Sequence, residues 1–72
     1  MTERNFSLDG HDYIELSNLL KVINLVNSGG EAKIRITEGE AHVNGEVELR
    51  KRKKLRVGDI VIFGGQTIKI AI

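Results

Sequence analysis

The residues best suited to chemistry in this 72-residue sequence are cations clustered between positions 50 and 56. Six of the eleven bases fall in this run of seven, Arg50-Lys51-Arg52-Lys53-Lys54-Leu55-Arg56. Residues 1–49 carry four bases against nine acids, whereas residues 50–72 carry seven bases against one acid. Because like charges this close repel one another, a polyanion or nearby carboxylates must offset the repulsion. The run therefore predicts a polyanion-binding surface, with a solvated basic loop or a sorting-signal-like stretch as the alternative.

A second candidate anion site lies in Ser28-Gly29-Gly30-Glu31, at the start of a predicted helix. The first amides of a helix lack intrahelical partners, and glycines without Cβ atoms let a phosphate approach them closely. Ser28 and Glu31 also match a capping box, in which the hydroxyl accepts from the Glu31 amide and the carboxylate accepts from the Ser28 amide. Since the Glu31 carboxylate would repel a phosphate, capping is favoured over phosphate binding at this corner.

Patterns typical of catalysis or metal binding are missing from the sequence. His11 and His42 are far apart and have neither Cys partners nor an HExxH spacing, which disfavours a zinc site. The Gly-Gly pairs match neither a P-loop nor a dinucleotide fingerprint, and no nucleophile elbow is present. A chain this short buries only about 60% of its unfolded surface, which leaves little room for a closed catalytic cavity. We therefore predict a protein that is not an enzyme and uses no cofactor or metal.

Two short helices are predicted upstream of the basic run. The first spans about residues 16–24 and is indicated by apolar residues at helical spacing, Leu16, Leu19, Leu20 and Ile23. Tyr13-Ile14 is expected to pair as a strand directly before it. The second helix follows the Ser28 cap and spans about residues 29–38, where Gly39 supplies a left-handed stop.

Alternation with a period of two predicts strands in the remaining segments. Asn44-Gly45 is a type I′ turn signal joining the arms of a hairpin, whose apolar residues are Ala41, Val43, Val47 and Leu49. After a turn at residues 57–59, strands are expected at 60–63 and 66–72, with Gly64-Gly65 between them. The second of these strands places three isoleucines on one face, Ile68, Ile70 and Ile72. Residues 5–8 read as a short edge strand, and the predicted fold is α+β, two short helices on a small, curved, mostly antiparallel sheet.

Length and composition predict one domain over residues 1–72. The apolar runs are far shorter than the roughly 20 residues needed to span a bilayer, and the first five residues carry charge instead of a signal-peptide core. The absence of Cys excludes a disulfide framework and thiolate metal sites. We expect a soluble cytoplasmic protein that packing alone stabilises.

The order of these motifs resembles a known RNA-binding module, the S-four-like (alpha-L) domain. The most similar members are small stand-alone bacterial proteins of the YbcJ/YaaA type, and the resemblance covers roughly residues 14–63. The segments that carry it are Leu16-Ser17-Asn18-Leu19-Leu20-Lys21, Ser28-Gly29-Gly30-Glu31-Ala32-Lys33, Glu38-Gly39, Val43-Asn44-Gly45 and Val57-Gly58-Asp59. In that family the corner before the second helix and the helix itself form one wall of an RNA groove, and the hairpin and its exit form the other.

Position by position, the resemblance implies a groove between the second helix and the segment after the first hairpin. Its implied RNA-binding residues are Ser28, Gly29, Lys33, Arg35, Arg50, Lys51, Arg52, Lys53 and Lys54. Asn44 could add a contact to a base or a 2′-hydroxyl. Many family members have Arg directly after the Ser, and this Arg can contact a phosphate. This chain has Gly29 at that position and lacks such a side-chain contact. The long basic run would compensate for it.

The expected function is non-catalytic binding of structured RNA, ribosomal or transfer RNA, in the cytoplasm, with the ribosome among the expected partners. Readout would be mainly of the phosphate backbone and shape, because few aromatic side chains are available to stack on bases. Phe6 and Phe63 lie in strand patterns typical of a core, and Tyr13 is more open. The alternatives are a protein-interaction adaptor that docks an acidic partner through a basic patch, and a general nucleic-acid binder that includes DNA.

Overall fold

Two helices and seven strands lie within residues 2–72, the part of the chain that the computed structural model describes. They are β1 (Thr2–Ser7), β2 (Ile14–Glu15), α1 (Leu16–Val22), α2 (Gly29–Thr37), β3 (Ala41–Val43), β4 (Glu46–Val47), β5 (Lys54–Leu55), β6 (Ile60–Phe63) and β7 (Gln66–Ala71). The α+β class is confirmed. Neither helix in this part of the chain is long and apolar enough to cross a membrane.

Five strands form one sheet in the order β1-β7-β6-β3-β4. The pairs β7–β6, β6–β3 and β3–β4 are antiparallel, whereas β1 runs parallel to β7 with Phe6 opposite Ile70. The predicted edge strand at residues 5–8 is thus an edge strand, but it begins three residues earlier and ends at Ser7. The last strand ends at Ala71, and Ile72 lies beyond it, exposed.

A separate two-stranded sheet pairs β2 with β5, placing Ile14 opposite Leu55 and Glu15 opposite Lys54. The strand before the first helix was expected one residue earlier, and β5 lies inside the basic run, where no strand was predicted. Leu55, the one apolar residue of the run, is completely buried. Its burial attaches the cationic segment to the core.

Both helices are held by apolar side chains that are buried in the core. In α1, Leu16, Leu19 and Leu20 are completely buried, and Ile23, directly after the helix, packs partly against the core. Each such burial is worth roughly 1.5–3 kcal/mol, and a helix of seven residues is not stable without that docking. The helix ends at Val22, two residues before the predicted end, and Asn24 takes a left-handed φ of 62°.

The end of α2 and the hairpin that follows it confirm the local turn signals. Gly39 has a φ of 85°, its amide donates to the Ile36 carbonyl, and the Glu40 amide donates to the Arg35 carbonyl, which is a Schellman motif. Asn44 and Gly45 both have positive φ, as a type I′ turn requires. The second arm of the hairpin stops at Val47, so Leu49 lies outside it.

Candidate nucleic-acid interface

One face of the molecule is an open concavity of about 700 Å³ lined entirely by cationic residues. We call this set the basic surface, and its residues are Arg50, Lys51, Arg52, Lys53, Lys54 and Arg56. Five of the ten predicted site residues therefore lie side by side. Arg56, the sixth, belongs to the run that the sequence analysis singled out but is not among the predicted site residues.

The backbone of the basic surface is fixed against the start of α1. The Lys53 amide donates to the Arg50 carbonyl at 3.2 Å, which closes a turn within the run. The amides of Leu16 and Ser17 donate to the carbonyls of Lys53 (2.9 Å) and Lys51 (3.0 Å). Since α1 has no side-chain cap, these carbonyls satisfy amides that would otherwise lack a partner. The cations are thus carried by an ordered main chain.

Arg50 is held by Glu48 in a bidentate pair. The Arg50 Nε and one terminal nitrogen donate to the two carboxylate oxygens at 2.9 and 3.2 Å, and the Arg50 amide donates to the same group. The Arg50 side-chain hydrogen bond is the main reason why the pKa of Glu48 is lowered, against the opposing effect of burial, and the charge of Lys53 adds to the lowering. Glu48 raises the pKa of Arg50 in turn.

Arg52 forms the second ion pair of the basic surface, with its Nε 3.2 Å from Glu15 Oε2. Both arginine side chains remain more than 70% exposed, so their outer faces are accessible to a ligand. The other four cations form no ion pair within residues 2–72, namely Lys51, Lys53, Lys54 and Arg56. The basic surface therefore keeps an excess of uncompensated positive charge.

Tyr13 stands beside the basic surface and contacts two of its cations. The Lys54 ammonium lies 5.0 Å from the ring centroid, and the Arg56 guanidinium carbon lies 5.5 Å from it. These are cation–π distances. Tyr13 is not among the predicted site residues. The sequence analysis does single it out as the aromatic residue expected to be more exposed than Phe6 and Phe63, and that feature could have included it.

The corner before α2 is occupied by capping contacts. Ser28 Oγ accepts from the Glu31 amide at 3.1 Å, as predicted. The reciprocal half of the predicted capping box is wrong, because Glu31 Oε1 accepts from the Asn27 amide at 3.0 Å and not from that of Ser28. A Cβ at Gly29 would meet nothing within 4 Å, so the first turn of the helix is open to solvent there.

Lys33 and Arg35 lie on different faces of α2, because residues two apart in a helix point away from each other. Arg35 is bound to Glu40 at 2.9 Å and Glu31 at 3.5 Å, and its guanidinium lies 4.5 Å from the Phe63 ring centroid. The hydrogen bond to Glu40 is the main reason why the pKa of Arg35 is raised. Lys33 is exposed and forms no ion pair within the described residues.

Asn44 is occupied in joining the hairpin to β6. Its Nδ2 donates to Asp59 Oδ1 at 3.1 Å, and its Oδ1 accepts from the Ile60 amide at 2.9 Å. Five of the ten predicted site residues do not line the basic surface, namely Ser28, Gly29, Lys33, Arg35 and Asn44. Within residues 2–72, His, Asp and Glu side chains form no group of three that could hold a metal ion.

Comparison with known proteins gives consistent results. A protein of Escherichia coli (strain K12), YbcJ, provisionally described as RNA-binding, is 45% identical over 65 residues, which are 90% of this chain and 93% of that protein. RlbA of Bacillus subtilis (strain 168), provisionally named a ribosome maturation protein, is 41% identical over 54 residues, 75% of this chain and 76% of RlbA.

The fold is similar to the solution structure of Escherichia coli YbcJ, described as having an alphaL motif involved in RNA binding. The TM-score is 0.72 at 43% sequence identity, over 94% of this chain and 86% of YbcJ. The model of the S4 domain matches residues 6–71, which extends the expected 14–63 to include the last two residues of β1 and all of β7. With two short helices, a five-stranded mostly antiparallel sheet and a match over nearly its whole length, this chain belongs to the S4 domain family.

Proposed function

We propose that this protein is a non-catalytic RNA-binding protein that recognises structured RNA mainly through its phosphate backbone and shape. The observation that carries the proposal is the basic surface, in which four cations without ion pairs lie beside two exposed arginines. The descriptions of YbcJ as RNA-binding support it, since that relative is similar over most of both chains.

The proposed interface centres on the basic surface. Arg50 and Arg52 present planar guanidinium groups that can contact phosphate oxygens bidentately, whereas the lysines act as mobile point charges. We assign Lys33 an auxiliary phosphate contact, because it is exposed and has no ion pair among the described residues. We assign Arg35, Asn44 and Ser28 to structure, because contacts within the fold already occupy their side chains.

The proposed target is structured ribosomal or transfer RNA, with action in the cytoplasm and in association with the ribosome. The name of RlbA, a relative provisionally assigned to ribosome maturation, supports the ribosomal option. A duplex-RNA target is compatible with the basic surface because the A-form helix is read by phosphate and 2′-hydroxyl contacts more than by base edges.

A titration tests the proposal against its alternatives, with structured RNA, duplex DNA of equal length and an acidic protein, at 50 and 200 mM salt. Neutralising about five phosphates predicts a slope of log K against log salt near −3.5 for single strands and −4.5 for duplexes. Affinity should then fall by roughly two orders of magnitude or more across that range. Preference for structured RNA supports the proposal. Equal binding of RNA and DNA indicates a general nucleic-acid binder, and preference for the acidic protein indicates an adaptor.

A further inference from the structure

A second hollow adjoins Tyr13, and its chemistry differs from that of the basic surface. It has a volume of about 500 Å³ and is lined by His11, Asp12, Tyr13, Ile14, Glu15 and Asn18. No lysine or arginine is among these residues, so the hollow does not favour a phosphate. Its aromatic ring, aliphatic side chain and polar groups are instead the set that commonly surrounds a nucleotide base.

Three polar side chains of the hollow are available to a ligand. His11, Asp12 and Asn18 make no side-chain hydrogen bond or ion pair within residues 2–72, and all three are exposed. Glu15, by contrast, is held by Arg52 of the basic surface. Asp12 therefore offers a free carboxylate next to Tyr13, a residue that is 39% exposed.

Tyr13 links the two concavities. Tyr13 lines the hollow, and its ring makes cation–π contacts with Lys54 and Arg56, which line the basic surface. A cation–π contact at an exposed site is weaker than a charge-assisted hydrogen bond to phosphate. An RNA backbone on the basic surface would therefore draw both cations away from the ring, and the ring face would become free to stack on a base.

We propose that Tyr13 and the adjoining hollow form a subsite for one unpaired base of the bound RNA, with guanine preferred. The preference follows from Asp12, because a carboxylate only accepts hydrogen bonds and the pairing edge of guanine presents two adjacent donors, N1–H and the N2 amino group. Uracil presents one donor between two carbonyl oxygens, which the carboxylate repels. This subsite rests on the proposed function, since the neighbouring phosphates must occupy the basic surface.

The test uses three blunt-ended RNA duplexes that differ at one position: fully paired, with one bulged guanosine, or with one bulged uridine. Binding is measured by anisotropy of end-labelled RNA for the wild type, Tyr13→Ala and Tyr13→Phe. Tyr13 is the sole tyrosine and the chain has no tryptophan, so quenching of protein fluorescence reports on this ring alone. Thermal melting of each variant checks that the fold is retained.

We expect the wild type to bind the bulged-guanosine duplex about tenfold more tightly than the paired one, with Tyr13 fluorescence quenched. The bulged-uridine duplex should be intermediate, Tyr13→Phe should keep the preference, and Tyr13→Ala should lose it. Equal affinity for all three duplexes overturns the subsite. If Lys51→Ala with Lys53→Ala still weakens binding of every duplex, the proposed function survives that failure. If that double variant has no effect, the proposed function fails as well.

Discussion

The main-chain amide of Leu16, the first residue of α1, donates a 2.9 Å hydrogen bond to the carbonyl of Lys53 in the basic surface. The carbonyls that accept from the first amides of α1 therefore belong to residues of the basic surface. Because six cations within seven residues repel one another, the basic surface costs stability, which the pairs with Glu15 and Glu48 partly offset. An arrangement that costs stability in the free protein is consistent with a binding role.

Removing unpaired cations from the basic surface should weaken RNA binding without unfolding the protein. For Lys51→Ala with Lys53→Ala, we expect the salt slope to become shallower by roughly 1.5 to 2, because two phosphate contacts are lost. Unfolding free energy should stay within about 0.5 kcal/mol of wild type or rise, since repulsion is relieved. The control is Lys21→Ala with Lys69→Ala, which removes the same charge elsewhere. An equal loss of affinity in the control would show that net charge alone drives binding.

Lys33 should contribute less than any lysine of the basic surface. The Lys33→Ala variant should reduce affinity by a few-fold and add independently to Lys51→Ala, since separate phosphate contacts are additive. Anisotropy titrations of both single variants and the double variant measure this coupling. A loss larger for Lys33→Ala than for Lys51→Ala would move the centre of the interface to α2.

Shortening Leu55 should disrupt the attachment of the basic surface. Leu55 is completely buried opposite Ile14, so Leu55→Ala should cost about 2–5 kcal/mol of unfolding free energy. Urea denaturation followed by circular dichroism measures this loss, and Leu55→Met, which conserves volume, should cost less than about 1.5 kcal/mol. A near-neutral Leu55→Ala would contradict the burial of β5 against the core.

Glu48→Gln should release Arg50 and remove one negative charge from the edge of the basic surface. We expect RNA binding to tighten by a few-fold at low salt, because Arg50 no longer has to break its ion pair with the Glu48 carboxylate before it binds a phosphate. Unchanged or weaker binding would mean that Glu48 positions Arg50 for the ligand.

The ion pair between Glu48 and Arg50 also makes a pH-dependent contribution to the free energy of unfolding. Because the folded-state pKa of Glu48 lies below the ordinary value of 4.5, its contribution is present above that pH and is lost as pH falls through the lowered value. Wild type should therefore melt higher than Glu48→Gln at pH 7, and the gap should close in strong acid. A difference in melting temperature that persists at low pH would show that the stabilisation does not come from the ionised Glu48 carboxylate.

Ser28→Ala should destabilise the fold without changing RNA affinity. The hydroxyl caps α2 by accepting from the Glu31 amide, and loss of such a cap typically costs about 1 kcal/mol. Ser28→Asp, which can also cap, is the matched control and should recover most of that stability in thermal melts. A clear affinity loss in a folded Ser28→Ala variant would restore Ser28 to the interface.

The sequence by itself determined the features that depend on neighbouring residues. The α2 boundaries from the Ser28 cap to the Gly39 stop, the Asn44-Gly45 turn and the strand at 60–63 all match the structure, apart from a one-residue difference at the end of α2. Caps and turns follow from local dihedral preferences and hydrogen bonds over a few residues, so a short window of sequence encodes them. The charge run was equally visible, because adjacent charges need no fold to be counted.

Only the tertiary structure decided which distant residues meet. Parallel pairing of β1 with β7, formation of β5 inside the basic run and the contacts of Tyr13 with Lys54 and Arg56 all join segments far apart in the chain. Helical periodicity already places Arg35 and Lys33 on different faces, but only the structure shows that Glu40 and the Phe63 ring contact Arg35. Such contacts depend on the packing of the whole core. Leu55, surrounded by six cations in the sequence, can be buried only when the helices and the sheet together form the core that surrounds it.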